Sequence, residues 1–313
     1  MGRDRFTLYE RMVAKWFRQC AGSVAFSLGQ LRAVIAQGTV ASSKQVVLHL
    51  KEALMTDYEH CTVEKDGRLL IVTINRPKRM NALHPPANFE LAKVFDDFAA
   101  DPDLWVAIIT GAGDRAFSAG NDLKWQAEGN KIEVPPSGFA GLTSRYDMPK
   151  PVIAAVNGVA MGGGFEIALA ADLIIASENA SFALPEPKVG LAALAGGLHR
   201  LPRQIPVKQA MGMILTGRVV PAAEGQTLGF VNEVVPAGDL IAAAKRWAEL
   251  IMACSPMSIR ASKESVYRGL DEANLEKAVT GHYPAVGALF KSEDLIEGPM
   301  AFAEKRAPQW KGR

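Results

Sequence analysis

The chain has 313 residues, 49% hydrophobic and 22% charged, enough apolar sequence for one large domain or two with a substantial core. Its 35 basic and 33 acidic residues leave a formal charge of +2, so no nucleic-acid partner is expected. Cys20, Cys61 and Cys254 form no close pair, and His49, His60, His84, His199 and His282 lack metal-ligand spacing. A disulfide framework and a metal knuckle are thereby excluded, and each histidine reads as a surface or hydrogen-bonded core residue.

Residues 1–54 stand apart. They carry eight basic residues against three acidic ones. Basic, acid-poor, serine-containing sequence has the look of an organelle transit peptide. A start codon assigned too early accounts for the same segment, because Met55 stands just before "TDYEHCTVEKDGRLLIVTINRP", a clean domain opening. On either reading 1–54 is an extension outside the fold. The protein is expected in the cytoplasm, or in the mitochondrial matrix if the segment is a transit peptide. The mildest membrane candidate, "CAGSVAFSLGQL", falls short of the ~18 apolar residues a span needs, so no membrane partner is expected.

From residue 55 the pattern changes. "CTVEKDGRLLIVTINRP" predicts a hairpin turning at Lys65-Asp66-Gly67 and stopping at Pro77. "PANFELAKVFDDFAAD" places Phe89, Leu91, Val94, Phe95 and Phe98 at helical spacing. "LWVAIITG", "KPVIAAVNG" and "LIIASEN" read as short buried strands, and "GGFEIALAAD" as a buried helix. Strand and helix alternate with short links, which predicts an α/β core over 55–250. Beyond about residue 200 "VKQAMGMILTG", "DLIAAAKRWAELIMAC" and "PMSIRASKESVYRGL" read as helices, interrupted by "VNEVV". A helical C-terminal segment over 251–313 is expected.

Three turns invite a chemical reading. "GAGDRA", Gly111 to Ala116, fits a dinucleotide-binding pattern. It lacks the long helix and the later acidic residue that such a site needs, and it is set aside. "AFSAGNDLK" and "MGGGFE" each follow a buried strand and lead toward a helix. Backbone N–H groups are unpaired at such places, and glycine lets a ligand come close. Two of these turns side by side would offer two donors to one oxygen, which is an oxyanion hole. The bland alternative is that the glycines only permit tight packing and Glu166 only complements a helix N-terminus. "SFALPEPKVGL" holds Glu186 between Pro185 and Pro187, and the two prolines stiffen the backbone around it. The strand "LIIAS" lies between Glu166 and Glu186 and could return both acids to one edge. Two rigid carboxylates beside an oxyanion hole suit acid–base work on a carbonyl-conjugated substrate.

"NRPKRMNAL", "AFSAGNDLK", "KPVIAAVNGVAMGGGFEIALAAD", "FALPEPKVGL" and "LTGR", in this order, resemble the enoyl-CoA hydratase/isomerase family, the crotonases. The resemblance covers roughly residues 58 to 313. The closing "HYPAVGALFKSEDLIEGPMAFAEKRAPQWKGR" looks most like the crotonobetainyl-CoA hydratase (carnitinyl-CoA dehydratase) branch. The resemblance implies a spiral of ββα repeats with a helical C-terminal segment, assembled as a homotrimer or homohexamer. That assembly would draw on the apolar residues Ile241, Trp247, Leu250, Ile251 and Met252. The resemblance places the oxyanion-hole donors on the backbone N–H of Asn121 and Gly163, and the catalytic carboxylates on Glu166 and Glu186. Coenzyme A contacts fall on Arg79, Met80, Asp122, Leu123, Lys124, Phe302 and Lys305.

The implied reaction is addition or removal of water across the 2,3 double bond of a 2-enoyl-CoA. Coenzyme A arrives as part of the substrate, and no metal or other cofactor is called for. Enoyl-CoA isomerase, acyl-CoA hydrolase and decarboxylase are the alternatives within the family, and the pair of glutamates speaks against them. A non-catalytic acyl-CoA-binding role is the alternative from another class, which activity with crotonyl-CoA would decide. Two departures bear on the acyl group. Position 121 is Asn, where the crotonobetainyl branch tends to have Trp. In "GLAALAGGLHR", Gly190 to Arg200, Ala and Leu replace the more usual proline-containing version.

Overall fold

The structure, a computed structural model, describes residues 58–313, and the expected extension 1–54 lies outside the described residues. Strand β1 (Cys61–Asp66) pairs antiparallel with β2 (Leu69–Ile74). The reversal falls on Gly67 and Arg68, not on Lys65 and Asp66, which pair with Leu70 and Leu69. Gly67 supplies a positive φ of 58° there, so the glycine of the expected turn is its first residue rather than its last.

Helix α1 (Pro85–Ala100) has a proline in its first turn and buries Leu91, Val94, Phe95 and Phe98. Phe89, expected on that face, is exposed, because at about 100° per residue it lies on the opposite side of the helix from Leu91, Val94, Phe95 and Phe98. Then follow β3 (Val106–Gly111), β4 (Ala116–Ser118) and a short helix α2 (Leu123–Ala127). The next turn of the chain repeats the pattern with β5 (Val152–Val156), β6 (Val159–Met161) and α3 (Gly163–Ala170). After it come β7 (Leu173–Ser177), β8 (Ser181–Ala183) and α4 (Gly197–Gln204). Successive turns therefore deliver alternate strands to two sheets. The larger has the order β1-β2-β3-β5-β7-β10, parallel after the first pair, with β10 at Glu233–Val235. The smaller runs β4-β6-β8-β9, with β9 at Val220–Pro221. This is the spiral of ββα repeats.

The large sheet is apolar on both faces. Leu70, Val72, Ile74, Ala107, Ile109 and Val156 join the main core with α1 and α3. Leu69, Ile71, Val106, Ile108, Ile153 and Ile175 face the other way, onto Leu240, Ala243, Ala244 and Ala248. Those four residues lie on α7 (Leu240–Met252), which follows α5 (Val207–Thr216) and α6 (Ala222–Leu228). Cover on both faces is why these strands read as unbroken apolar runs. The C-terminal segment is helical, with α8 (Pro256–Gly269), α9 (Leu275–Thr280), α10 (Pro284–Leu289) and α11 (Asp294–Ala303). Among the described residues no helix is long and apolar enough to cross a membrane.

The small sheet sets the geometry that matters. β6 and β8 are parallel neighbours, with Met161 opposite Ala183. The chain leaves both strands at the same edge, toward Glu166 in one case and Glu186 in the other. At that edge a Cβ on Gly164 would stand 2.0 Å from the Ser118 carbonyl oxygen. Gly164→Ala is therefore expected to lose about 1–3 kcal/mol or more through overpacking against backbone that cannot yield. Gly212, within α5, has open space around its Cα, and Gly212→Ala should gain up to about 1 kcal/mol. Urea unfolding of the two variants checks both signs.

Candidate active site

The two candidate turns meet. Gly120 adopts a φ of +84°, and a Cβ there would lie 2.8 Å from the Gly163 nitrogen and 2.6 Å from the Met161 carbonyl oxygen. Only glycine fits both demands. The stretch after β4 is fixed from its other side by Leu83, whose N–H donates to Gly120 O at 2.7 Å and whose carbonyl accepts from Asp122 N–H at 2.9 Å. In this parallel bridge the two residues flanking Asn121 bond to Leu83, so the N–H of Asn121 is directed away from that partner. Gly163 is the first residue of α3, where N–H groups have no intrahelical acceptor. The candidate donors Asn121 and Gly163 thus lie on adjoining strand ends, joined by the contact of Gly120 with the 162–163 peptide. The ring of Phe139, from the turn Phe139–Gly141, presses on Gly163, since a Cβ there would stand 2.6 Å from its Cε1.

Glu166 lies in the first turn of α3 and is 3% exposed. Its neighbour Phe165 points into the core, stacked with Phe182 and Phe230 at ring separations of 5.2 and 5.1 Å. That packing fixes the rotation of the helix and so the direction of Glu166. The Glu166 Oε1 accepts from Gly197 N–H at 2.8 Å, at the start of α4. Glu186 opens the short 3-10 turn Glu186–Val189. Its Oε1 would lie 2.8 Å from a Cβ on Gly162, and its Oε2 is buried without a hydrogen-bond partner. The two acids have been brought to one edge by β8 pairing with β6; β7, the "LIIAS" strand, belongs to the other sheet.

Burial pushes both carboxyls up. Glu166 is carried to about 7, with burial the largest cause, repulsion from Glu186 a further one, and the Gly197 and Ala195 N–H groups pulling the other way. Both carboxyls are therefore held toward the protonated form, and ionisation of Glu186 opposes ionisation of Glu166. Glu166 is buried, so it is not an exposed helix-end charge.

The candidate coenzyme A contacts form two neighbouring stretches. The loop after β2, with Arg79 exposed and Met80 capping the turn, is tied to the stretch after β4 by Ala119 N–H donating to Met80 O at 2.9 Å. Leu123 and Lys124 are exposed. The side chain of Asp122 is not free: it is buried, caps α2 through Trp125 N–H at 3.2 Å and pairs with Arg76 at 3.1 Å. Its backbone is engaged as well, the N–H with Leu83 O and the carbonyl with Gln126 N–H at 3.2 Å. Phe302 and Lys305 lie at the far C-terminal end, where Phe302 is 87% exposed. No described hydrogen bond connects them to the other candidates. The departure at Asn121 places its amide nitrogen 3.2 Å from Gln126 Oε1.

Several residues here carried no sequence signal. Phe139 reaches the site from a distant loop. His84, read as a surface or satisfied histidine, is buried with Nδ1 unpartnered, its ring 4.8 Å from Trp125 and 4.6 Å from His60. Burial first, then the charge of Arg76, lowers it to about 4. In the "GAGDRA" loop two of the N–H donors a phosphate would need are engaged, Gly111 with Asn157 Oδ1 at 3.2 Å and Ala112 with Ile74 O at 2.8 Å.

The raised Glu166 has a thermodynamic consequence. The folded protein keeps its proton up to about pH 7, whereas an unfolded glutamic acid releases it near 4.5. Stability is thus lost as pH rises through that window. Glu166→Gln removes the titration and can still accept from Gly197 N–H. At about pH 8 the variant should be more stable than the parent by a few kcal/mol, since each pH unit separating the folded and unfolded titrations is worth about 1.4 kcal/mol. The gap should close toward about pH 4.5. Urea unfolding across that range tests it, and a variant less stable than the parent at high pH would refute it.

Known proteins resemble this chain. Residues 64–313 match the family described as enoyl-CoA hydratase/isomerase. The carnitinyl-CoA dehydratase of Escherichia coli K12 is 48% identical over 268 residues, spanning 83% of this chain and all of the relative. The Salmonella typhi carnitinyl-CoA dehydratase is 47% identical over the same span. Among solved structures, the enoyl-CoA hydratase of Mycobacterium tuberculosis H37Rv superposes with a TM-score of 0.77 at 41% identity, covering 82% of this chain and all of that one. The carnitinyl-CoA hydratase of Mycobacterium avium does so at 0.65 and 42%, with the same coverage. The chain belongs to the enoyl-CoA hydratase/isomerase family.

Proposed function

We propose that the protein is an enzyme that adds water to, or removes it from, the 2,3 double bond of a 2-enoyl-CoA thioester. The observation that carries this reading is the meeting of buried Glu166, half-buried Glu186 and two N–H donors at the adjoining ends of β4, β6 and β8. The thioester oxygen accepts from the N–H of Asn121 and of Gly163. Negative charge that builds on this oxygen is met by donors already in place and by the start of α3. One glutamate takes a proton from water as its oxygen bonds to the β-carbon, and the other gives a proton to the α-carbon. A pair that shares one proton at neutral pH is the state this needs, one base and one acid. The doubly ionised pair is inactive, so kcat/KM falls on the alkaline side as Glu166, at about 7, gives up its proton. Coenzyme A enters with the substrate, and no separate cofactor takes part.

The acyl group is a narrower question. Relatives named carnitinyl-CoA dehydratase favour a crotonobetainyl substrate, whereas Asn121 and the apolar stretch Leu191–Ala195 favour a different one. A screen of acyl-CoAs decides. The bacterial relatives favour the cytoplasm as location.

Assembly completes the coenzyme A site in this reading. Phe302 projects into solvent at the C-terminal end, with exposed Phe290, Ile296 and Val279 on the same run of helices. Trp247, Ile251 and Met252 pack on the chain's own second core cluster, so the interface falls to these later residues together with Leu250 and Ile241. Phe302 and Lys305 then serve the site of a neighbouring copy. A trimer or hexamer is expected by light scattering at micromolar concentration, and a monomer would refute it.

The kinetic test is direct. With crotonyl-CoA, Glu166→Gln and Glu186→Gln should each lower kcat by about 10²–10⁴-fold with little change in KM. The double variant should lose far less than the product of the two, since the acids act on one water and one substrate. A normal kcat in either single variant would remove that acid from the mechanism and reopen the isomerase and hydrolase readings. Binding of the thioester without turnover would leave a non-catalytic acyl-CoA protein.

A further inference from the structure

Arg200 stands on α4, one turn past the Gly197 N–H that donates to Glu166. No carboxylate lies within ion-pair reach of it among the described residues, and its guanidinium is only partly exposed. Its Nη2 donates to the Thr143 carbonyl at 2.8 Å, and its Nη1 lies 3.5 Å from the Ala195 carbonyl. The guanidinium carbon sits 5.7 Å from the centre of the Tyr146 ring. Gly196 passes directly over the same group. It has a φ of +110°, and a Cβ there would meet Nη1 at 2.0 Å. The absence of a side chain at 196 is what lets the chain fold over the guanidinium.

The fork therefore spans two loops. One is the 193–197 turn that supplies donors to Glu166. The other is 139–143, whose Phe139 ring presses on Gly163. An arginine left without a carboxylate, its donors given to backbone carbonyls, keeps its full charge within range of Glu166. A planar fork holds two carbonyls at once, which an ammonium cannot do in the same geometry.

We propose that Arg200 is a positioning residue for Glu166: it holds the 195–197 backbone where Gly197 N–H donates to the carboxylate, and braces that turn against the loop carrying Phe139. The inference rests on the proposed role of Glu166. It gives Arg200 two separable effects. Its fork fixes the placement of the carboxylate, and its charge favours the ionised form.

The surroundings of Glu166 make the second effect readable. The strands β4, β5, β6 and β7 and the 139–141 turn, all packed on α3, carry no charged side chain. The charges acting on Glu166 are those of Glu186 and Arg200. The other titratable groups on α4 are His199, which is exposed, and Arg203, which donates to the His199 carbonyl at 3.0 Å.

The experiment compares the parent with Arg200→Gln and Arg200→Lys in the full chain, with crotonyl-CoA as substrate. Thermal melting and light scattering establish folding and assembly for each. Arg200→Gln should lower kcat about 10- to 100-fold, the usual effect of a catalytic group slightly misplaced, with KM within about twofold. The alkaline limb of kcat/KM should move to higher pH, because the charge that favours ionised Glu166 is gone. Arg200→Lys keeps the charge and loses the fork, so its kcat should fall while its alkaline limb stays with the parent. A brace with no influence on Glu166 would lower the melting temperature and leave kcat and the limb untouched in both variants, which would overturn the proposal. So would the same limb in the Gln and Lys variants. If Arg200→Gln does not fold, a parental kcat in Arg200→Lys overturns it. Glu166→Gln serves as the control: if it retains the parent's kcat, the reading of the site has failed rather than the role of Arg200.

Discussion

The approach of one backbone to another, with nothing between them, governs this site. The Ser118 carbonyl leaves no place for a Cβ on Gly164, and the Gly163 nitrogen leaves none on Gly120. Side chains at these positions would push β4 and β6 apart. In the proposed reading the N–H groups of Asn121 and Gly163 would then no longer address one acceptor. Everything else at the site depends on this contact: the direction of α3, the inward turn of Phe165 and hence the aim of Glu166. The opposing face of the contact is also fixed, by Leu83 pairing with the stretch Gly120–Asp122.

Two carboxyl groups are buried beside this contact at a cost in stability, and the fold tolerates it unevenly. Glu166 has backbone donors at the start of α4 and an arginine in range. Glu186 has an oxygen with no partner at all. A buried polar atom left without a hydrogen bond is expensive. The same pattern appears at His84, where a neutral ring with a bare nitrogen sits one residue from the Leu83 bridge.

Much of the arrangement was legible in the sequence, for identifiable reasons. The alternation of apolar strands with helices reads directly because both faces of the large sheet are covered. The glycine runs at 120 and 162–164 stand out because glycine is costly to order and rare in threes. Glu186 was legible through its flanking prolines. The hairpin reversal was displaced because Lys65 and Asp66 are tolerated at an exposed strand end as readily as in a turn. The strand that aligns the acids was misplaced because the sequence shows only order along the chain, and β7 and β8 go to different sheets. Trp247, Ile251 and Met252 looked free to meet another chain, since apolar residues on a late helix do not declare which sheet they cover. Phe139, His84 and Arg200 act through contacts between distant loops, and no local pattern announces those.

The stretch from Pro187 to Gly196 joins the end that bears Glu186 to the turn that holds Glu166. Most of it is open to solvent, including Val189, Leu191 and Leu194. Exposed positions of this kind change with little effect on folding. The two acids are held by β8, α3 and the backbone of residue 197, none of which rests on the exposed side chains Val189, Leu191 and Leu194. Divergence can therefore run through these exposed positions while the acids stay in register, which in the proposed reading would let the acyl group change without rebuilding the chemistry.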